Sequence, residues 1–524
     1  MPSMRSLMKF VVPAVAFGLG AAVVVTAGPL DPPTGAIAPT YKTLSEVEPR
    51  TAINATNTPG DANSLYRITQ EGSYYLTGNV AGVANKHSIL ILASNVTIDL
   101  NGFTIKGIST SRDGIRGEGS LTNIRIRNGM VRDHGLNGIS MPLSRSTTVE
   151  NVQAVSNGGD GISAGFRAIL NTVESASNAG AGFHLSEISI VTDCIAEFNA
   201  VGFRQVGPNT RIENCISRFN NFTGFEVIDG TAVSDCTASS NGQHGFKLNG
   251  GRITLERCMA ELNVRNGFIV SGYDHLMSHC QARQNGQSTN TSGFYSSDGA
   301  NHAYSNCMSY YNALHGFESA SQRTDYKECT AMENGSDGIR AAGVTVRIQD
   351  SRLEANSQRG LDVGAGSSID RVMIRGGTSD GIRINGNGNA TIRHCHVQNT
   401  GGIGAVLGNG SLVESTLFTA NFNNGCTAGS LTVIRGCTFD NNGTSAGTTG
   451  HIYCAGNGNL IEDNYIYNGD PGIVVASGGG TIVRRNIVNG TANNYGLIVG
   501  GNRVATINTS ATLSSTNSND NFSY

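Results

Sequence analysis

Along the middle of the chain, apolar and polar positions follow no helical period. They alternate in short runs such as TRIENCIS and AVSDCTAS, set in a frame that repeats. Residues 193–203 read DCIAEFNAVGF, followed a repeat later by NCISRFNNFTGF and then by DCTASSNGQHGF. Cys194, Cys215, Cys236, Cys258, Cys280, Cys307 and Cys329 are spaced 21, 21, 22, 22, 27 and 22 residues apart, and an asparagine follows each by five. A Gly-Phe pair recurs from Gly182-Phe183 to Gly316-Phe317, and the frame continues on both sides with Gly-Ile or Gly-Leu, as at Gly114-Ile115, Gly138-Ile139, Gly360-Leu361 and Gly381-Ile382. A fixed period of this size marks a solenoid, and alternation without helical periodicity makes its units short strands. The apolar residue three before each cysteine (Val191, Ile212, Val233, Leu255) and the small one two after it differ in strand parity, so a bend separates them. Coils of this kind stack strand over strand in parallel, about 4.8 Å apart. The pattern then predicts a phenylalanine column in the core, an asparagine column bridging bends through its amides, and glycine turning the backbone with φ above zero before each Phe. Two residues after the glycine, Arg204, Glu226, Lys247, Glu318, Arg340, Asp362 and Arg383 form an outward column in which opposite charges on neighbouring rungs pair.

The repeats SNGGDGIS, SNGQHGFK and ENGSDGIR, with VTIDLNGFTIKG at 96–107, resemble the right-handed parallel β-helix repeat family of the wider pectin-lyase-like group. That resemblance implies an all-β, single-stranded right-handed parallel β-helix over residues 85–505, about 19 coils at this period. It also implies an N-terminal cap over 41–84, where TLSEVEP suits a helix and YRIT and SYYLT suit strands. These motifs are specific for the fold and not for a chemistry. Enzymes of the group act on acidic polysaccharides, with carboxylates that bind Ca2+ or serve as acid and base, and with Arg, Lys, His or Tyr taking a proton beside a uronate. The catalytic sets of polygalacturonases, mannuronan epimerases and pectate lyases are absent from this sequence. The leading expectation is therefore an exported scaffold that binds glycans or other surface partners. A lyase or epimerase of an acidic polysaccharide, with Ca2+ as its one conceivable cofactor, comes second. A periplasmic metal-handling protein comes third, because some family members with similar Asn-Gly repeats are associated with copper.

Composition narrows the setting. Of 524 residues, 69 are glycine, none is tryptophan and 14% are charged, which fits frequent turns in one long domain. A formal net charge of -3 gives no field that would draw nucleic acid. Arg5 and Lys9 precede an apolar run from Phe10 to Val25 and the small residues Thr26-Ala27-Gly28, the pattern of a signal peptide over 1–27. A proline-rich leader follows over 28–40 and a polar tail closes the chain over 506–524. The mature protein is expected outside the cytoplasm, as a monomer with no transmembrane segment. Eleven cysteines cannot all pair within one chain, and stacked Cβ atoms at the rung spacing lie beyond ordinary disulfide reach. The column cysteines read as buried free thiols, and Cys426 and Cys454, off the column, as the one candidate pair.

Two places depart from the repeat. His275 and His302 each sit five before their cysteine, in a column otherwise held by Ser189, Thr210, Thr231 and Thr324, so they should be neighbours on adjacent rungs. The long repeat between them carries an insertion at 286–292, and Asp274 and Asp298 lie beside them; these four are the candidate catalytic residues, with Tyr295 and Tyr304 as candidate glycan contacts. The second place is an early basic run, Lys106, Arg112, Arg116, Arg125, Arg127 and Arg132, in which Arg125 and Arg127 face the same way on a strand and could hold an anionic glycan. His394 and His396 flank Cys395, with no third ligand in the sequence to complete a metal site.

Overall fold

In the computed structural model, residues 48–286, 291–341, 345–443, 450–469, 471–490, 493–509 and 515–523 are described. The segments expected as signal peptide (1–27) and leader (28–40), most of TLSEVEP, and the centre of the insertion at 287–290 lie outside them. From Arg50 onward the chain forms one compact unit. Apart from Thr122–Arg132 and Ile139–Val155 the strands are short, they pair in parallel with their equivalents one coil away, and no helix occurs among the described residues. Along the Gly-Phe column the pairing runs unbroken from Tyr66 through Ile89, Ile115 and Phe183 to Ile473 and Tyr495, about twenty rungs.

The ladder starts earlier than the 85–505 expectation. Thr51–Ala52 pairs with Tyr74–Tyr75, and Ser64–Ile68 with His87–Ile91, so the segment assigned to the cap already supplies rungs. It also ends later. Ile507–Thr509 and Asn521–Ser523 pair with one another, and Phe522 with Ile487, which places part of the polar tail in the sheet.

Left-handed bends shape each coil. One falls on the residue before the cysteine position (Asp193, Asn214, Asp235, Arg257), and one on the residue before the ladder asparagine (Phe198, Phe219, Ser240, Leu262), with φ between 51° and 57° at these eight positions. The first is the bend that strand parity required. Glycine before Phe, however, is not in the left-handed region. At Gly245 a Cβ would lie 2.6 Å from the Gly267 carbonyl oxygen, 2.8 Å from Asn263 Nδ2 and 2.9 Å from the Ala260 methyl, so glycine is needed there for space and not for φ.

The core columns form as expected. Seven phenylalanines from Phe183 to Phe317 stack with ring centroids 4.6 to 4.9 Å apart. Along much of the ladder an asparagine hands a side-chain N–H to the next: Asn220 Nδ2 donates to Asn241 Oδ1 at 2.9 Å, and Asn241 Nδ2 to Asn263 Oδ1 at 2.9 Å. All eleven cysteines are buried free thiols. Cys426 and Cys454 are among them. Cys426 stands opposite Ile452, while Cys454 stands opposite Ala428, so the two thiols occupy different columns and do not bridge.

Candidate functional site

The expected neighbours His275 and His302 do meet, as rings stacked at 5.1 Å, but inside the solenoid. Both residues are 1% exposed. His275 Nδ1 accepts the Ile253 backbone N–H at 3.2 Å and its Nε2 faces the Ser271 carbonyl at 3.2 Å, while His302 Nε2 faces the Asp298 carbonyl at 3.3 Å. Ser and Thr in the same column do the same work: Thr210 Oγ1 accepts the Ser189 N–H and Ser367 Oγ the Val346 N–H. Burial holds both imidazoles neutral, and the facing His302 adds to this for His275. They anchor a bend from within, which corrects the expectation that they face a ligand. Asp274 and Asp298 are exposed at that bend and bridge rungs, Asp274 accepting from Asn301 Nδ2 and Asp298 from the Gly272 N–H, each at 3.1 Å. Tyr295 is half-buried on the outer face. Tyr304 is a core residue, stacked on Tyr326 at 5.1 Å with its hydroxyl against Ser296 Oγ at 2.6 Å, and cannot meet a glycan.

The early basic run is largely neutralised. Arg125 makes a two-pronged contact with Glu150, at 2.9 and 2.7 Å, and Arg127 lies 3.1 Å from Asp99. Arg132 pairs with Asp133 at 2.8 Å. The outward charge column pairs only in part: Arg204 meets Glu226 at 3.3 Å, whereas Glu318 takes the Ser292 hydroxyl and Asp362 takes Arg359.

A different set of residues converges at a groove over the first coils. It has a volume of about 680 Å3 and is lined by Asp61, Arg67, His87, Arg112, Asp113, Arg116 and Glu118 over an apolar floor that includes Leu90 and Leu92. Strand register builds it, since Leu90 and Arg116 stand on adjacent rungs. Asp113 is buried at the bend; its Oδ1 takes the Asn137 backbone N–H at 2.9 Å and its Oδ2 lies 3.3 Å from His87 Nδ1. Arg116 reaches Asp113 at 3.7 Å and the Ser140 hydroxyl at 2.7 Å, and Arg67 lies 3.5 Å from Asp61. Arg112 is exposed and makes no ion pair among the described residues.

Sequence spacing held a signal for this site. The run Asp113-Gly114-Ile115-Arg116 recurs as Asp337-Gly338-Ile339-Arg340 and as Asp380-Gly381-Ile382-Arg383, and a histidine stands one rung before the first two, at His87 and His315. The second copy is closed. His315 and Asp337 are each 2% exposed, Arg340 Nη1 lies 3.1 Å from His315 Nε2, and Arg359 lies 3.7 Å from Asp337. Burial, with Arg340 and Arg359 nearby, depresses the His315 imidazole to about 3, so it stays neutral. Of these two, only the first opens into a groove. Among the described residues no three His, Cys, Asp or Glu side chains gather to hold a metal ion, and no helix is long and apolar enough to cross a membrane.

Comparison with known proteins gives a fold likeness only. A double mutant of the periplasmic alginate epimerase AlgG is 15% identical, with a TM-score of 0.37 over 54% of this chain and 73% of that one. Tailspike protein 3 of bacteriophage CBA120 is 12% identical, with a TM-score of 0.28 over 65% and 58%. The pectate lyase Pel9A is 14% identical, with a TM-score of 0.19 over 64% and 70%. No curated protein sequence matches the chain. Residues 319–512 match the family model described as the right handed beta helix region. Parallel rungs of the same kind continue ahead of that match, so the whole described chain from Arg50 onward is a parallel β-solenoid, and residues 319–512 of it match the right handed beta helix region.

Proposed function

We propose that this chain is an exported β-helix scaffold that holds an acidic glycan in the groove over its first coils. The observation that carries this reading is the convergence of Arg67, Arg112 and Arg116 with His87 on a partly apolar floor, with Arg112 free of an ion pair among the described residues. Guanidinium groups match carboxylates in a planar two-pronged geometry, and the leucines suit the apolar face of a sugar ring. The signal-peptide pattern over 1–27 supports export. Calorimetric titration with oligogalacturonate and oligoguluronate tests the reading. Binding weakens with salt, and Arg112→Ala lowers affinity by about tenfold or more, as expected for a charge-assisted hydrogen bond. No binding of either oligouronate, or equal binding by the variant, refutes it.

A second reading, a lyase or epimerase acting in the same groove, draws on His87, the one imidazole that lines it, whose Nδ1 accepts the Asp113 backbone N–H at 3.2 Å with the Asp113 carboxylate 3.3 Å away. Absorbance of unsaturated products reports a lyase, and deuterium uptake from heavy water at the uronate C5 reports an epimerase. In either case His87→Ala abolishes turnover and leaves binding. Wild-type protein that binds without either signal is a scaffold only.

A further inference from the structure

At the bend before the asparagine ladder, Asp133, Ser156, Ser177, Phe198, Phe219 and Ser240 occupy one column, all with φ between 54° and 59°. A bulky side chain in the left-handed region is uncommon, and the flanking serines show that the fold accepts a small residue there. Yet Phe198 and Phe219 are 54% and 47% exposed and stack on each other at 5.2 Å with their planes 10° apart; Phe222 beside them is 48% exposed. Neither the core nor the backbone accounts for these rings.

Phe198 closes one end of a second groove, of about 560 Å3, whose other end is Ile108. Its floor is made of small residues on successive rungs, Ser109, Gly135, Gly158 and Ala179. The next rung is one residue shorter: Gly202 follows Asn199 by three, whereas Gly182 follows Asn178 by four and Gly224 follows Asn220 by four. The missing residue leaves a step, so Asn221 from the rung beyond lines the groove as well. From the rung of Ile108 to that of Phe198 is four steps, about 19 Å at the stacking distance.

The lining is polar but carries no unpaired charge. Asp133 is bound by Arg132 at 2.8 Å, and burial keeps His134 neutral. Ser109, Ser156, Ser177 and Asn221 have no side-chain hydrogen bond among the described residues, which leaves hydroxyls and an amide free to meet hydroxyl groups. An exposed aromatic ring with hydroxyl and amide partners and no cation suits an uncharged sugar, not a uronate.

We propose that this groove binds a neutral oligosaccharide lying along the solenoid axis, with one sugar ring packed on Phe198. The site is separate from the arginine-lined groove over the first coils and does not depend on it. Cello-, manno-, xylo- and chito-oligosaccharides are titrated into the full protein by calorimetry, with saturation-transfer NMR to detect contact. At least one series binds, Phe198→Ser weakens it tenfold or more, and Arg112→Ala leaves it unchanged. Serine already holds this position on neighbouring rungs, and unchanged circular dichroism confirms that the variant folds. The proposal is overturned if no neutral series binds, if Phe198→Ser binds equally well, or if the series that depends on Phe198 proves to be an oligouronate. Sedimentation showing a dimer that Phe198→Ser dissociates overturns it too, because the rings would then be covered by a second copy.

Discussion

Replacing Asn241 with alanine tests the ladder where its bonds are best defined. Asn241 Oδ1 accepts the Asn220 backbone N–H at 3.1 Å and Asn220 Nδ2 at 2.9 Å, while its own Nδ2 donates to the Ser217 carbonyl at 3.1 Å and to Asn263 Oδ1 at 2.9 Å. Asn220 and Asn241 are both buried, so water cannot replace what is lost. The orphaned Asn220 N–H costs about 1 to 3 kcal/mol, and the three other bonds about 1 kcal/mol each. Because Asn220 Nδ2 keeps contacts with the Ser217 hydroxyl and the Ala196 carbonyl, the total is held to about 3 to 5 kcal/mol. A solenoid can open rung by rung, so the suitable assay is native-state hydrogen exchange by mass spectrometry and not one global melt. Peptides covering 215–225 in Asn241→Ala are expected to exchange about two to four decades faster than in wild type. Ser239→Ala, on the outward side of the same rung, is the control and changes little. Acceleration below tenfold in Asn241→Ala would show that the ladder is not what secures this bend.

Phe246→Ala, in the middle of the ring stack, is expected to cost about 3 to 5 kcal/mol, and a urea transition shifted by less than about 1 kcal/mol would remove Phe246 from the core. The thiols react slowly with a thiol reagent in the native protein and fast once it is denatured; mass spectrometry that finds any two column cysteines bridged contradicts the buried free-thiol column. Burial depresses the His244 and His451 imidazoles to about 4, below the roughly 6.5 of an unfolded chain. The unfolded state therefore binds more protons below pH 6.5, and stability, full above that pH, falls toward pH 4 by up to about 3 kcal/mol per histidine. His244→Gln flattens that pH dependence, and a stability that rises on acidification would contradict the assignment.

How much could be read from the sequence follows from what a repeat encodes. Residues one period apart become neighbours, so the Phe stack, the asparagine ladder, the Arg204–Glu226 pair and the His275–His302 contact were all legible from spacing. The side of the wall on which a column lies was harder to read, because Ser, Thr and His suit a surface by composition. Here they turn inward to take a backbone N–H at a bend. Tyr304 was legible after all. It sits three before Cys307, in the column that Val191 and Ile212 mark as inward, and parity should have outweighed its hydroxyl. The partners that neutralise Arg125 and Arg127 lie on neighbouring rungs at Glu150 and Asp99, where no recurring motif points to them. The 680 Å3 groove draws on residues from Asp61 to Leu136, and its ends come from turns between rungs, whose shape the period does not fix.

The recurring cysteine takes its meaning from the residues that replace it. Cys236 Sγ accepts the Cys215 backbone N–H at 3.4 Å and donates to the Ser234 carbonyl at 3.1 Å. Farther along the same column the Cys329 N–H goes to Ser351 Oγ, the Cys395 N–H to Thr416 Oγ1, the Cys437 N–H to Asn464 Oδ1 and the Asn464 N–H to Asn486 Oδ1. A thiol, two hydroxyls and two amides thus perform one task, which is to receive the N–H that the left-handed bend turns out of the sheet. What they share is an acceptor on a short side chain. A thiol does this as a weak acceptor, and unlike an amide it brings no strong donors that must each find a partner in the interior. Where Asn464 and Asn486 take over, the second requirement returns: Asn464 Nδ2 has to reach the Ile434 carbonyl at 3.0 Å and Asn486 Oδ1 at 2.9 Å. At Cys236 the thiol is therefore the low-demand version of that asparagine acceptor, and along the column from Cys194 to Cys329 each thiol donates to the carbonyl two residues before it, so the regular spacing by itself points to neither disulfide formation nor metal binding.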